Sequence, residues 1–235
     1  MKSVYENVKT KVKYFNELSD DYNCMLGVRQ GESLSPFLFS MFVNDIEKTY
    51  INSGVEGIDI GTFKLFLLLY ADDIVLLAKS AEELQNYLDI LKTYCDEWKL
   101  KVNESKTKVM IFRKGGRLPN NLRFKYGEHQ LDIVNKFNYL GIVFTSGGSF
   151  AEAHKTLAGQ ALKAIFKINK YLYKFTFINV KHRLELFDKL VMPILNYACQ
   201  VWGFAQAQCI ERIHLHFCKS ILRVKKNNSK RFCIW

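Results

Sequence analysis

The sequence of 235 residues contains no low-complexity tract and no internal repeat. That argues against a disordered chain and against a solenoid or propeller. It also lacks an apolar run of bilayer length. Its most hydrophobic segment is interrupted by Asp72 and Asp73 and is too short on either side to span a membrane. The opening residues, MKSVYENVKTKVKYF, hold no apolar core of the kind that opens a secretory signal. The six cysteines (Cys24, Cys95, Cys199, Cys209, Cys218, Cys233) form no CxxC pair and follow no disulfide-like spacing. Reduced thiols in an intracellular protein, nuclear or cytoplasmic and not secreted, are therefore expected. Negative charge is scarce too, with 23 acidic residues against 34 lysines and arginines and a net charge of +11. What is present is the composition of a globular chain, 49% hydrophobic and 24% charged, long enough for one large or two small domains. The cationic excess favours a polyanionic partner, and a surplus that serves only solubility is the competing reading.

Along the chain, residues 1–28 read as a helical start followed by a hairpin whose turn lies in Asn16–Asp21. Pro36 to Tyr50 has helical spacing of Leu38, Met41, Phe42 and Ile46, with Pro36 suited to a first turn. Residues 63–69 and 74–78 are aliphatic runs that predict two buried strands around a tight turn. Ser80-Ala-Glu-Glu83 is a capping box, and Leu84, Leu88, Leu91, Cys95 and Trp98 mark the apolar stripe of a helix over 81–98. Val109–Phe112 and Asn138–Thr145 read as strands, the second leading into the turn Ser146-Gly147-Gly148. Beyond it the pattern is helical, with Ala161, Ile165, Ile168 and Leu172 on one face of a helix over 151–174. The expected division is an α+β part, 1–148, and an all-helical part, 149–235.

The segment KLFLLLYADDIVLLAKS sets two adjacent carboxylates between apolar runs. Burying a carboxylate is costly unless a cation or hydrogen bonds compensate it. Like charges that close also repel, and a divalent cation relieves both problems; hard oxygen donors suit Mg²⁺, with Mn²⁺ as the alternative. Such metals activate an attacking oxygen and stabilise a leaving one in nucleotidyl transfer. Asp-Asp as plain turn chemistry is the competing reading, because aspartate favours turns on its own account.

The neighbours decide between these readings. Tyr70-Ala-Asp-Asp73 resembles the catalytic motif of reverse transcriptases. Gly27-Val-Arg-Gln-Gly-Glu-Ser-Leu-Ser-Pro36, continuing as FLFSMFVNDIE, resembles the family segment beneath the incoming nucleotide and template. Leu100–Lys108 is similar to the family's Asn-x-x-Lys-Thr stretch, and Tyr139-Leu-Gly141 resembles its primer-grip hairpin. Val191–Ala198 with Val201-Trp-Gly203 resembles the region after the polymerase core in non-LTR retrotransposons. The resemblance runs in order over nearly the whole chain. It implies RNA-directed DNA synthesis, extending a primer 3′-OH on an RNA template with deoxynucleoside triphosphates, with Mg²⁺ held by Asp72 and Asp73. Arg29 is then a fork of donors for phosphate, Gln30 a hydrogen-bonding group at base or sugar, and Gly31 a point of close backbone approach. Tyr70 lies beside the primer end, and Lys106 near the departing pyrophosphate, a solvated lysine being its competing reading. Glu32 departs from the small residue common there and adds a negative charge.

By the same resemblance the architecture is a partial right-hand polymerase palm followed by a helical thumb-like region. The family also uses an aspartate on an earlier strand. Only 28 residues precede Arg29, and Asp20 and Asp21 fall in a predicted turn. The fingers and first catalytic strand are therefore expected in an upstream part of the same polyprotein, and this polypeptide alone is expected to be inactive. An unpaired sheet face and self-association are expected with that loss. A non-catalytic nucleic-acid-binding remnant of a retroelement is the alternative. Lys163, Lys167, Lys170 and Lys174 form a stripe suited to template–primer backbone, with a solvated helix face as competitor. The basic segment Arg223–Arg231 offers nonspecific affinity or a frayed end. Cys209, His214, His216 and Cys218 match no familiar zinc spacing, whereas Ile210, Ile213, Phe217 and Ile221 give an amphipathic helix.

Overall fold

The capping box forms as the sequence predicts. Ser80 accepts a hydrogen bond from the Glu83 amide (3.1 Å), and Glu83 Oε2 accepts one from the Lys79 amide (2.6 Å), starting a helix over Ala81–Glu97. The structure, a computed structural model, describes residues 9–23, 27–29, 31–118, 121–173, 179–204 and 207–222. Its strands are β1 (Lys9–Thr10), β2 (Lys13–Tyr14), β3 (Glu17–Leu18), β4 (Tyr22–Asn23), β5 (Ile58–Ile60), β6 (Phe63–Leu65), β7 (Leu67–Tyr70), β8 (Asp73–Leu76), β9 (Lys108–Val109), β10 (Phe124–Tyr126), β11 (His129–Ile133), β12 (Lys136–Tyr139) and β13 (Ile142–Thr145). Its helices are α1 (Ser35–Phe42), α2 (Ile46–Asn52), α3 (Ala81–Glu97), α4 (Ala151–Leu172), α5 (Val180–Leu190), α6 (Met192–Leu195), α7 (Cys199–Trp202) and α8 (Gln208–Ile221). The fold is thus mixed α/β, and after Thr145 every described regular element is helical. No helix among the described residues is long and apolar enough to cross a membrane. The chain divides into two units, residues 1–104 with 122–130 and residues 105–121 with 131–235.

In the first unit, β1 pairs antiparallel with β4, and β2 with β3 inside them. The hairpin tip is Phe15-Asn16, with Phe15 at φ +51°, so Asp20 and Asp21 lie on the returning limb rather than in the turn. Asp21 is taken up by Lys9 (3.7 Å) and Lys11 (3.3 Å). The helical start expected before this hairpin falls on residues 1–8, outside the described residues. The helix expected over 36–50 is two helices, α1 and α2, separated at Val43–Asp45. Asn44 and Asp45 are turn formers, and Asp45 is engaged by the Tyr94 hydroxyl (2.7 Å), which draws it out of a continuous helix.

The inner face of α3 carries Tyr87, Leu88, Leu91, Tyr94 and Cys95, packed against Ile46 and Tyr50 of α2 and against β10, where Phe124 and Tyr126 are buried. Leu84 is only half-buried and Trp98 is exposed, so the expected stripe shifts by one tyrosine column. Tyrosine can take those inner positions because each hydroxyl finds a partner. Tyr50 donates to the Tyr87 carbonyl (2.9 Å), Tyr87 donates to Glu83 Oε1 (2.9 Å), and the Gly57 amide donates to the Tyr87 hydroxyl (3.0 Å). Burial, and then the Glu83 carboxylate, push the Tyr87 phenol up to about 12.

In the second unit, β9 pairs in parallel with β11 through Lys108↔Asp132 and Val109↔Ile133. The strand expected over 109–112 stops at Val109 because β11 ends at Ile133, and Phe112 is left exposed. The strand expected over 138–145 is a hairpin, β12–β13, turning at Leu140-Gly141 with φ +47° and +80°. Positive φ at both central residues is the geometry of a two-residue turn matched to strand twist. Two apolar clusters then organise the helices. Ile142, Ala153, Leu157 and Trp202 form one, and Ala158, Ala161, Ile165, Phe187, Val191, Leu195, Ile213 and Phe217 the other. Phe187 stacks on Phe217 with ring centroids 4.1 Å apart, and burying such a ring contributes about 1.5–3 kcal/mol. Ile168 packs against the second cluster, and Leu172 is half-buried.

Candidate active site

Strands β7 and β8 pair in the register Leu67↔Leu76, Leu68↔Val75, Leu69↔Ile74 and Tyr70↔Asp73. Only Ala71 and Asp72 remain to make the turn. Ala71 adopts φ +50°, a left-handed conformation that disfavours any residue with a Cβ. Asp72 and Asp73 are both exposed, and Tyr70 is 61% exposed beside them. The structure therefore gathers Tyr70, Asp72 and Asp73 at one hairpin tip. The expectation of two buried strands holds only at the base, where Phe66 and Leu67 are buried; Leu68 and Leu69 remain 42% and 40% exposed. The physical reason is that β7–β8 is a two-stranded sheet among the described residues, with no third strand to cover it. The carboxylates stand in water and escape the desolvation that their apolar flanks suggest.

Near the base of the hairpin lies an exposed ion-pair group that sequence reasoning missed. Lys79 Nζ lies 3.0 Å from Asp59 Oδ2, Lys64 Nζ lies 3.8 Å from Asp59 Oδ1, and Lys64 also donates to the Glu56 carbonyl (3.0 Å). The hydrogen bond and charge of Lys79 hold the Asp59 carboxyl below its usual range. Charge alternation across β5, β6 and the segment after β8 is the signal that could have found it. Gly57 has no room for a Cβ, which would meet the Phe66 ring at 2.8 Å, so the loop before β5 is closed tightly over this base.

Arg29 and Gly31 lie together in the loop entering α1. The Arg29 carbonyl accepts from the Ser35 hydroxyl and from the Glu32 amide (3.4 Å), and the Arg29 side chain is exposed. Gly31 sits at φ +84° with open space where a Cβ would stand, so its backbone conformation already calls for glycine. Gln30 lies outside the described residues. Lys106 is exposed in the turn Glu104–Lys106. On α4, Lys163, Lys167 and Lys170 are exposed, and Lys174 lies outside the described residues. At the β12–β13 turn, Tyr197 was not anticipated. Its hydroxyl donates to the Leu140 carbonyl (2.8 Å), and its ring lies 3.1 Å from where a Gly141 Cβ would stand. An aromatic residue six positions before Gly203 in a helical segment offered no cue to that contact.

Two hard oxygen donors on adjacent residues fit Mg²⁺, which binds through one or two carboxylates and keeps waters or phosphate oxygens as its other ligands. Among the described residues no third His, Cys, Asp or Glu joins them in a group able to hold a metal ion. Cys209 and Cys218 are half-buried and His214 and His216 exposed, while Ile213 and Phe217 supply the buried face of α8.

The chain's relatives can be set beside this geometry. The profile of the family described as "Reverse transcriptase (RNA-dependent DNA polymerase)" matches residues 1–144. A Drosophila melanogaster protein named "Probable RNA-directed DNA polymerase from transposon BS" is 28% identical over 223 residues, covering 92% of this chain and 24% of that protein. The RNA-directed DNA polymerase from mobile element jockey of Drosophila funebris is 26% identical over 204 residues, covering 84% of this chain and 22% of its own length. The retrovirus-related Pol polyprotein from type-1 retrotransposable element R2 of Nasonia vitripennis is 29% identical over 153 residues, covering 62% and 15% respectively. The chain spans about a quarter or less of the length of these relatives.

Proposed function

The chain belongs to the reverse transcriptase family, and on that premise we propose that it serves RNA-directed DNA synthesis by a non-LTR retrotransposon. The observation that carries the reading is the Tyr70-Ala71-Asp72-Asp73 tip, where two solvated carboxylates sit at the turn of an antiparallel hairpin. Asp72 and Asp73 would hold Mg²⁺, or Mn²⁺ in its place. The ion, when bound, neutralises phosphate charge and lowers the barrier for a primer 3′-OH to displace pyrophosphate. Tyr70 would border the primer end, Arg29, Gln30 and Gly31 the incoming deoxynucleoside triphosphate, and Lys106 the departing pyrophosphate. Lys163, Lys167, Lys170 and Lys174 would follow the template–primer backbone. In this reading residues 1–148 belong to the palm and 149–235 to a thumb-like region, supported by the change from strands to helices after Thr145. The partners are an RNA template and a DNA primer, in an intracellular setting, nuclear or cytoplasmic, and the rest of the same polyprotein would supply the remaining catalytic acid.

A second reading, a nucleic-acid-binding remnant without catalysis, is favoured by the absence of a third acidic group beside Asp72 and Asp73 among the described residues. Primer extension on an RNA template separates the two. The chain alone should incorporate deoxynucleotides at background level. Expressed in frame with a preceding strand that carries an aspartate, it should gain Mg²⁺-dependent incorporation that Asp72→Asn abolishes. Incorporation by neither form, with nucleic-acid binding retained, overturns the polymerase reading in favour of the remnant.

A further inference from the structure

Helix α4 has a feature beyond its lysines. From Ala153 to Tyr173 the chain contains no acidic residue. Lys163, Lys167 and Lys170 are all exposed, at i, i+4 and i+7 along one ridge. Phe166 and Tyr173, seven residues apart and so nearly two turns, stand together on one flank of that ridge. Tyr173 continues the helical conformation at φ −60° and ψ −23°. Phe166 is 65% exposed and Tyr173 93% exposed, whereas the opposite face of α4 buries Leu157, Ala161 and Ile165. These two aromatic rings contribute little to the core, and each borders a cationic ridge.

From this juxtaposition we infer that the Phe166–Tyr173 flank of α4 is a stacking platform for the unpaired bases of a single-stranded nucleic acid. It rests on the proposal above that the lysine ridge meets nucleic acid, and it adds which form is met and through which residues. In a duplex the base faces are already stacked on one another, so an exposed aromatic ring meets only edges and sugars. In a single strand each base offers a free face, and stacking on an aromatic side chain is tolerant of sequence. Seven residues of helix rise about 10.5 Å at ~1.5 Å per residue, which sets the two rings far enough apart to take separate, unstacked bases. The strand would run along the helix with its phosphates on Lys163, Lys167 and Lys170 and its bases turned towards Phe166 and Tyr173. A strand just ahead of or behind a paired region would present those bases.

Fluorescence anisotropy with a labelled oligo-dT and with an RNA–DNA hybrid duplex of matched length tests the inference on the full chain. Phe166→Ala with Tyr173→Ala should weaken oligo-dT binding tenfold or more and change duplex binding less than twofold. The slope of log affinity against log salt should stay the same. Phe166→Trp with Tyr173→Trp should restore oligo-dT binding. Lys163→Ala, Lys167→Ala and Lys170→Ala together should instead flatten the salt slope for oligo-dT by about 2, at ~0.7 per phosphate contact. Equal loss for both ligands, or loss for neither, overturns the platform. So does light scattering that finds a dimer lost in the alanine pair while oligo-dT binding stays intact. If the unaltered chain binds neither ligand, the lysine reading of the proposed function fails as well, which distinguishes that failure from a failure of the platform alone.

Discussion

Hairpins β7–β8 and β12–β13 share a plan. Each joins two four-residue strands through two residues, and each ends its first strand in tyrosine, Tyr70 or Tyr139. Their tips end differently. The turn Leu140-Gly141 is pinned by the Tyr197 hydroxyl, and Ile142 behind it is buried with Ala153, Leu157 and Trp202. The turn Ala71-Asp72 is open to water, and burial begins only at Leu67. One hairpin is clamped by the protein's own side chains. The other leaves its polar groups exposed to water. The turns differ as well, since φ is positive at both Leu140 and Gly141 but only at Ala71 of the other pair, so strand and turn lengths, not turn geometry, are common to a tip that is packed and one that is solvated.

Replacing the support of each hairpin should break this contrast in proportion to burial. Trp202→Ala removes a buried indole whose Nε1 donates to the Tyr197 carbonyl (2.7 Å), and urea unfolding should register a loss of about 3–5 kcal/mol. Leu69→Ala, at a position 40% exposed, should lose less than about 1.5 kcal/mol. Equal losses would mean that the open hairpin is as deeply supported as the clamped one.

A smaller effect should come from the clamp itself. Tyr197→Phe deletes the bond to the Leu140 carbonyl and should lower stability by about 1 kcal/mol. No change in urea midpoint would show that the ring, not the hydroxyl, holds the turn.

The pH response should sharpen the contrast on the clamped side. His154 is buried, its ring 4.9 Å from Trp202, and desolvation lowers its pKa from the usual 6.5. The unfolded chain then takes up a proton below about pH 6.5 that the folded chain resists, so stability falls as pH drops through that range. His154→Leu should flatten the fall between pH 7.5 and 5.5, and an unchanged slope would remove His154 as its source. The smallest effect belongs to the open tip. With no ion pair to either carboxylate among the described residues, Asp72→Asn should alter stability by no more than about 0.5 kcal/mol. A larger change would show that Asp72 is engaged within the protein.

The legible parts of this fold were those whose signals are local. Ser80 and Glu83 announced α3 because a capping box is satisfied within four residues. The β7–β8 turn could be read because Asp72 and Asp73 interrupt two aliphatic runs. The failures came from partners distant in sequence. Nothing near Asn44 reveals that Tyr94 will hold Asp45 and divide a helix that its apolar spacing makes continuous. Val109–Phe112 looks like a strand, but its length was set by where β11 stops. Leu140 is a poor turn former, so the apolar pattern of Asn138–Thr145 read as one strand, and only the resemblance of Tyr139-Leu-Gly141 to a hairpin pointed to the turn that Gly141 and Tyr197 support. Within the candidate site, the Tyr70–Asp73 tip was readable as a motif. The Asp59, Lys64 and Lys79 group beneath it was not, because it assembles across three separate segments.

Ala71 has a consequence for the turn that carries Asp72 and Asp73. A glycine would adopt φ +50° without strain, yet it would also let the turn wander through many backbone conformations. Alanine has fewer conformations open to it. The pairing of β7 with β8 thus holds Ala71 in a conformation that it disfavours, at a strain of about 1–2 kcal/mol. The turn that carries Asp72 and Asp73 is therefore strained in its backbone while its two carboxylates stand free in water.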